Sequence, residues 1–133
     1  MLGNRLAPGA ETFPEMFADD GVLEYPFAPP GLNSPLVGRD AIFANFMRLR
    51  KILRIDSVAD AIEIETRNTD TVILEFSGTG AGVKTGEPYR QRYISVITLR
   101  NGHISRYKDY WNPIALFQAV MGTGSVASLT LHP

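Results

Sequence analysis

The chain of 133 residues contains no cysteine, which excludes disulfide bonds, thiolate metal ligands and a cysteine nucleophile. Two histidines, His103 and His132, argue against a histidine-rich metal centre or a Ser-His-Asp triad, so we predict no metal site and no cofactor. No apolar run reaches the ~18 residues of a membrane span, and we expect no secretion signal because no charged segment followed by an apolar one stands at the N-terminus. The net charge of −1 favours neither nucleic acid nor a membrane surface. A cytoplasmic location is therefore predicted.

The chain carries 44% apolar and 20% charged residues, as ordinary globular proteins do. We predict one domain over residues 1–133, with loosely held termini at 1–10 and 122–133. Thr12 resembles the N-cap of a short helix that ends in the turn Asp19-Asp20-Gly21. A short strand follows at 22–25, then a proline-rich loop and at best an edge segment up to Val37. Apolar residues spaced three and four apart predict a helix over 40–53.

Strands dominate the rest of the chain. Glycine occupies every second position over 78–82, which predicts a bend or the close approach of another backbone. Asn101-Gly102 is a strong hairpin signal, and Asn112-Pro113 resembles the start of a short closing helix. Helices followed by strands predict an α+β domain with helices on one face of a curved sheet. The predicted strands are 62–65, 71–76, 89–100 and 104–111.

The last predicted strand reads ISRYKDYWN. Alternation places Arg106 and Lys108 on one face, and Tyr107, Asp109 and Trp111 on the other. A carboxylate on the aromatic face is costly unless it has a partner or does chemistry. Asp109 is therefore either a buried acceptor bonded to a tyrosine or to Asn112, or a group of raised pKa suited to proton transfer.

Three segments together carry a family resemblance: FADDGVLEYPFAPPG, VGRDAIFANF and NGHISRYKDYWNP. They resemble the SnoaL-like, polyketide cyclase-like branch of the nuclear transport factor 2 superfamily, which is related to the ketosteroid isomerases. The resemblance implies a cone-shaped sheet wrapped around N-terminal helices, an internal apolar pocket and commonly a dimer through the outer sheet face. By this resemblance, we expect the first helix of the family to be truncated in this chain. The fold hosts several chemistries as well as non-catalytic binders.

The resemblance to the isomerases can be followed residue by residue. Tyr25, before Pro26, stands where those enzymes carry their general-base aspartate, and Ser95 lies near their oxyanion-hole aspartate. The steroid isomerase machinery is therefore absent. A tryptophan like Trp111 lines the cavity of that relative, which implies that Tyr107 and Asp109 line it too.

Glu75 is a second candidate acid in an otherwise apolar strand. Facing the pocket, it would pair with Asp109 and raise one pKa; facing outward, it would pair with Arg92 or Lys84. The outward orientation is favoured because its apolar neighbours already claim the core face. Epoxide hydrolysis would need Glu75, Asp109 and Arg92 together, and alternation places Arg92 on the other face.

We expect the pocket to bind a small, mostly apolar molecule with a carbonyl or hydroxyl group. The favoured hypothesis is cofactor-independent acid–base chemistry of the isomerase, cyclase or dehydratase kind, and the alternative is a non-catalytic binding or interaction domain. Ile94 and Val96 on the outer face predict a homodimer. The expected proton-transfer and orienting groups are Asp109, Tyr25 and Glu75; the expected substrate-binding residues are Tyr107, Trp111, Tyr93, Ser95, Ile97 and Phe46.

Overall fold

The computed structural model describes residues 12–124. The predictions for the family's truncated first helix, for the terminus at 1–10 and for most of the terminus at 122–133 lie outside this range. Within it, the first element is a 3-10 helix at Pro14–Met16, and two α-helices accompany six strands. The elements are β1 (Phe17–Glu24), β2 (Leu36–Val37), α1 (Arg39–Ile52), β3 (Leu53–Glu65), β4 (Thr71–Gly82), β5 (Pro88–Arg100), β6 (His103–Trp111) and α2 (Pro113–Met121).

The six strands form one mixed sheet in the order β2-β1-β6-β5-β4-β3. Only the β1–β6 pair is parallel among the described strands, and the remaining neighbours are antiparallel. The sheet does not close on itself, so β2 and β3 are its edges. This architecture confirms the predicted α+β, cone-like fold.

The predicted helix over the segment that starts at Thr12 is wrong. Only one 3-10 turn forms, and Phe17 already begins β1. The supposed turn Asp19-Asp20-Gly21 is an irregularity inside β1, where the pairing with β6 shifts between Phe17 and Val22. A Cβ on Gly21 would lie 2.9 Å from the carbonyl oxygen of Ile104 on β6, so glycine permits the strands to meet there.

Helix α1 forms within one residue of its predicted bounds. Ile42 is fully buried on its inner face, whereas Phe43 and Met47, which were expected to widen the apolar stripe, are exposed. The Arg39 side chain donates to the Phe17 carbonyl oxygen over 3.0 Å and pairs with Asp19 at 2.9 Å. These contacts tie the start of α1 to β1.

The alternating glycines mark close backbone approaches, as predicted. A Cβ on Gly80 would lie 1.8 Å from the carbonyl oxygen of Arg54 in β3, and one on Gly82 would lie 1.8 Å from that of Ala119 in α2. Because no side chain fits into such gaps, glycine lets β3 and α2 pack directly on β4. The strand β3 begins nine residues earlier than its predicted start at Ile62.

The hairpin and the closing helix also confirm their local signals. Asn101 and Gly102 adopt φ values of 52° and 79°, as a two-residue turn with left-handed central residues requires. The Asn112 Oδ1 atom accepts a hydrogen bond of 3.0 Å from the backbone N–H of Ile114, so it caps α2. The hairpin and the cap together fix both ends of β6.

The core lies on the face of the sheet that α1 and α2 cover. Its members come from β1 through α2 and alternate along β4 and β5. No helix within residues 12–124 is long and apolar enough to cross a membrane. The buried cluster comprises Phe17, Leu23, Ile42, Leu53, Val72, Leu74, Phe76, Tyr89, Tyr93, Ile97, Ile104, Tyr107 and Ala119.

Candidate active site

Strands β5 and β6 build the wall of the candidate site. Three cross-strand pairs stand side by side on the inner face: Tyr93 with Trp111, Ser95 with Asp109, and Ile97 with Tyr107. Every second residue of β5 from Tyr89 to Ile97 is buried. The alternation read from the sequence therefore brings these predicted site residues onto one face.

Tyr25 reaches this wall from the end of β1. Its ring meets Trp111 edge-to-face, with centroids 5.7 Å apart. Its hydroxyl accepts a hydrogen bond of 2.9 Å from the Asn45 side-chain amide on α1. Burial raises the pKa of Tyr25, and the nearby charge of Asp109 raises it further. Tyr25 is thus a neutral phenol at neutral pH, and its oxygen accepts from a side chain of α1.

Two buried hydroxyl pairs complete the polar groups of the wall. The Tyr89 and Tyr93 hydroxyl oxygens lie 2.5 Å apart, and the Ser95 and Tyr107 hydroxyl oxygens lie 2.8 Å apart. Burial raises the pKa of each of these three tyrosines, and the Asp109 charge raises them as well. We call Tyr25, Tyr89, Tyr93, Ser95 and Tyr107 the hydroxyl ring.

Asp109 is the unusual member of the site. Its Oδ1 atom is shielded from solvent and has no hydrogen-bond partner anywhere in residues 12–124. Burial raises its pKa to about 7, and no neighbouring charge contributes to this shift. The residue as a whole keeps part of its surface exposed. A carboxyl group in this state exchanges protons near neutral pH.

Glu75 does not join Asp109, so its assignment to the site is wrong. Its side chain points to the outer face and forms a 2.7 Å ion pair with Arg92, which also donates to the Ser77 hydroxyl over 2.6 Å. The physical reason is alternation, because Val72, Leu74 and Phe76 take the inner face of β4. The three groups needed for epoxide hydrolysis are therefore not assembled.

Two predicted wall residues have other surroundings. Phe46 lies on α1 with the Arg50 guanidinium 5.7 Å from its ring centroid, and it is not among the partly buried side chains that pack against the core. The assignment of Phe46 to substrate binding stays a prediction. Ile97 is fully buried between Val72 and Tyr107 on neighbouring strands, where it acts as core.

Three residues of the site were missed from the sequence: Asn45, Tyr89 and Gln91. Gln91 is buried, and its side-chain amide donates to the Asn112 carbonyl over 2.9 Å and accepts from the Asn112 N–H over 2.8 Å. It thereby fixes the joint between β6 and α2. Tyr89 and Gln91 alternate in phase with Tyr93, so the signal was present in the strand pattern. Asn45 lies one turn after Ile42 on the inner side of α1.

An open groove of about 400 Å³ lies on the outer side of the sheet. Aromatic and aliphatic side chains and the Glu75–Arg92 pair line it, and Tyr93 and Trp111 border it from the inner side. The groove shares Tyr93 and Trp111 with the predicted pocket wall but does not include Asp109. Within residues 12–124, no three histidine, aspartate or glutamate side chains are grouped as a metal site. The groove is further lined by Phe27, Ile94, Tyr110, Asn112 and Pro113.

Comparison with known proteins agrees with this architecture. Residues 7–107 match the model of the SnoaL-like domain. A Bacillus subtilis structure provisionally named an isomerase is 36% identical, with a TM-score of 0.79 over 86% of this chain and 82% of its own. A Xanthomonas campestris structure provisionally named a polyketide cyclase is 19% identical, with a TM-score of 0.68 over 80% of this chain and 81% of its own.

A third structure contains a bound small molecule. It is a Catenulispora acidiphila protein with a ketosteroid isomerase-like fold in complex with trimethylamine. It is 15% identical to this chain, with a TM-score of 0.68 over 88% of this chain and 85% of its own. The family model and the 36% identical relative each cover most of the chain, so the protein belongs to the SnoaL-like domain family.

Proposed function

We propose that this protein is a cofactor-independent acid–base enzyme of the isomerase, cyclase or dehydratase type. Its substrate is a small, mostly apolar molecule with a carbonyl or hydroxyl group. The observation that carries the proposal is the buried Asp109 Oδ1 atom, which has no partner among the described residues. Burial raises the pKa of this carboxyl group to about 7, where a general acid or base is most effective at neutral pH.

The hydroxyl ring supplies the second element of the chemistry. When Asp109 removes a proton from a carbon next to a carbonyl group, negative charge develops on the carbonyl oxygen. Tyr25 and the Tyr89–Tyr93 pair are neutral donors held in place by α1 and β5, and such donors stabilise a developing oxyanion. Asp109 then returns the proton to a different atom of the substrate.

The competing proposal is a non-catalytic binding domain, and the trimethylamine complex of a neighbour is consistent with small-molecule binding on this fold. If Asp109 had only a structural role, its carboxylate would be held by protein donors. In this chain, no donor within residues 12–124 bonds the Oδ1 atom. This difference supports the acid–base proposal.

The proposed assembly is a homodimer through the outer sheet face. A row of four residues, each paired with the next on the neighbouring strand, crosses that face. The row consists of Ile62, Glu75, Ile94 and Tyr110. Ile62 and Ile94 expose about half of their surface. Across a two-fold axis, the charges of Glu75 and Arg92 can pair with the opposite charges of the same two residues in the second copy. Replacing Ile94 by aspartate is expected to convert the dimer to a monomer in light scattering. The cytoplasmic location stays a prediction.

The test of the acid–base proposal combines titration and turnover. We expect carbon-detected NMR to give Asp109 a pKa near 7 that moves when cyclohexanone or 2-tetralone is added. The wild type should also accelerate exchange of the α-protons of these ketones in heavy water. Asp109→Asn should lower that acceleration at least ~100-fold, which is the lower range of acid–base contributions.

The matched control is Asp70→Asn, which alters an exposed carboxylate in the β3–β4 turn. This variant should accelerate the exchange of the ketone α-protons as much as the wild type does. If the measured pKa of Asp109 lies near its ordinary value of 3.8 and does not change when either ketone is added, the acid–base proposal is wrong. The binding-domain proposal would then take its place.

A further inference from the structure

The pairing of β5 with β6 stops at the residue before the cap of α2. Its last register pair is Tyr93 with Trp111. Continued along the strands, the same register would place Gln91 opposite Pro113, which begins α2 and has no N–H group to donate. A regular strand ladder therefore cannot hold this end of β6 against β5, and another contact is needed there.

The Gln91 side chain supplies that contact. Its Nε2 atom donates to the Asn112 carbonyl oxygen over 2.9 Å, and its Oε1 atom accepts from the Asn112 backbone N–H over 2.8 Å. An antiparallel partner exchanges the same two bonds with the residue opposite it, so the amide acts here in place of a backbone peptide group. The Oε1 atom also accepts from the Arg92 backbone N–H over 3.2 Å. The amide therefore joins the backbone of β5 to that of Asn112.

The hydrogen-bonding capacity of the Gln91 amide is fully used. Gln91 is 4% exposed, so its partners are protein groups. Its oxygen accepts two backbone N–H groups, and one N–H group of Nε2 donates to Asn112. The Tyr89 hydroxyl also hydrogen-bonds this side chain, and the second N–H group of Nε2 is left for it. A side chain without an amide would leave some of these buried groups unpaired.

The groups that the amide holds belong to the wall of the candidate site. Asn112 directly follows Trp111, whose ring meets Tyr25 with centroids 5.7 Å apart. On the other strand, the Tyr89 hydroxyl oxygen lies 2.5 Å from that of Tyr93, which stands opposite Trp111. The amide thus contacts both strands of the wall at the point where their own pairing has ended.

We propose that Gln91 is a positioning residue of the candidate site, whose amide holds Asn112 and thereby orients Trp111 and Asp109 for the substrate. Gln91 does not need to touch the substrate, because it acts through the end of β6. The assignment rests on the proposed function, since this orientation matters for turnover only if ligands bind against the wall. Loss of the amide should displace Trp111 and slow turnover, although the Asp109 carboxyl group is still present.

The test uses two substitutions of similar length. Gln91→Met keeps the side-chain volume and makes none of the hydrogen bonds. Gln91→Glu introduces a carboxyl group that imitates the amide only when it is protonated, because it then donates to the Asn112 carbonyl oxygen and accepts from the N–H group. Burial raises the pKa of such a carboxyl group above its ordinary value of about 4.3, so we expect it to be protonated at about pH 5.5 and ionised at about pH 9.

Two other titratable groups bear on this comparison. Tyr89 contacts the side chain at position 91 and stays neutral over the range, because burial raises its pKa. Asp109, with a pKa of about 7, titrates in the wild type and in both variants. Each variant is therefore compared with the wild type at the same pH, which leaves the carboxyl group of Gln91→Glu as the only difference in titration.

Trp111 is the only tryptophan of the chain, so quenching of its fluorescence by acrylamide reports its position directly. In Gln91→Met we expect a quenching constant at least about twofold above that of the wild type at both pH values, because a side chain released from packing is more accessible. The rate of α-proton exchange of 2-tetralone should fall about tenfold, as misplaced groups at a reacting centre imply. Gln91→Glu should match the wild type in both measurements at the lower pH and Gln91→Met at the higher pH.

The control is Val72→Ala, which removes fully buried apolar volume near the other end of β4. It should lower stability without changing the quenching of Trp111 or its dependence on pH. A general loss of stability would act alike in this control and in the Gln91 variants, whereas a positioning role changes the quenching only in the Gln91 variants.

The positioning role is wrong if Trp111 is quenched alike in Gln91→Met and the wild type, or if Gln91→Glu keeps one ratio to the wild type at both pH values. Unchanged proton exchange in Gln91→Met would also overturn it. If the wild type itself exchanges no ketone protons, the acid–base proposal fails, and the quenching of Trp111 still decides whether Gln91 positions this wall. The two proposals therefore fail separately.

Discussion

Replacing Asp109 by asparagine should change how folding stability depends on pH. Burial raises the pKa of Asp109 from 3.8 to about 7, so the folded chain holds this proton at pH values where the unfolded chain has lost it. The protonated carboxyl group therefore makes its full contribution to the free energy of unfolding below about pH 4, and this contribution is lost as the pH rises to about 7. The interval between the two pKa values corresponds to about 4 kcal/mol at most.

The measurement is urea denaturation of the wild type and Asp109→Asn at about pH 4.5, 6 and 8. Other carboxylates contribute equally to both proteins, so the difference between their free energies of unfolding isolates Asp109. Asparagine does not titrate, and the variant should gain up to about 3–4 kcal/mol relative to the wild type between pH 4.5 and 8. The buried amide adds a constant offset that does not depend on pH.

Asp70→Asn serves as the control, because its carboxylate is exposed and its difference from the wild type should stay within about 0.5 kcal/mol across the range. A stability difference for Asp109→Asn that does not change with pH would refute the reasoning. It would mean that the carboxyl group titrates alike in the folded and unfolded chains and is not desolvated.

Three further predictions concern the frame around the site. Gly80→Ala should lower the free energy of unfolding by more than ~3 kcal/mol in urea denaturation, because its Cβ would lie 1.8 Å from a backbone carbonyl oxygen of β3. Gln91→Leu should lower it by about 1–3 kcal/mol and speed hydrogen exchange of the Asn112 amide, which loses its 2.8 Å acceptor. The exposed Glu75–Arg92 pair should couple by no more than about 1 kcal/mol in a double-mutant cycle.

Where a local signal dictates the structure, the sequence was sufficient. The long helix α1, the Asn101-Gly102 hairpin and the Asn112 cap each depend on residues within a few positions of one another. The segment after Thr12 has an equally good local pattern for a helix, yet Phe17 enters β1. The segment forms a strand because it pairs in parallel with β6, which lies more than eighty residues away. Such a distant pairing cannot be predicted from the local sequence pattern.

The start of β3 escaped prediction for a different reason. From Arg54 to Glu65 the strand is exposed, because it is an edge of the sheet and no helix covers most of it. Its pairing with the glycine-rich half of β4 also shifts between Ile55 and Ser57 and between Ala59 and Ile62, so no regular alternation marks the segment 54–61. Residues 62–65 do alternate, and only there was the strand predicted.

The same distinction applies to the site. Alternation along β5 and β6 grouped Tyr93 and Ser95 with Asp109, and the structure places them on one inner face. Alternation within one strand says nothing of contacts across the sheet or from a helix. The contacts of Asn45 with Tyr25 and of Gln91 with Asn112 join elements that are twenty or more residues apart, which is why the sequence did not reveal them.

The contrast between Glu75 and Asp109 explains why the inner acid is the functional candidate. Both lie mid-strand in a sheet, but Glu75 faces outward, where Arg92 pairs with it at 2.7 Å. Asp109 faces inward, where Ser95 of β5 lies directly opposite it and Tyr93 is a neighbouring inward residue of the same strand. Both of these side chains are neutral. Asp109 therefore destabilises the folded chain whenever it is ionised. A group that opposes folding at neutral pH yet lies among oriented donors is better explained by proton transfer than by structure.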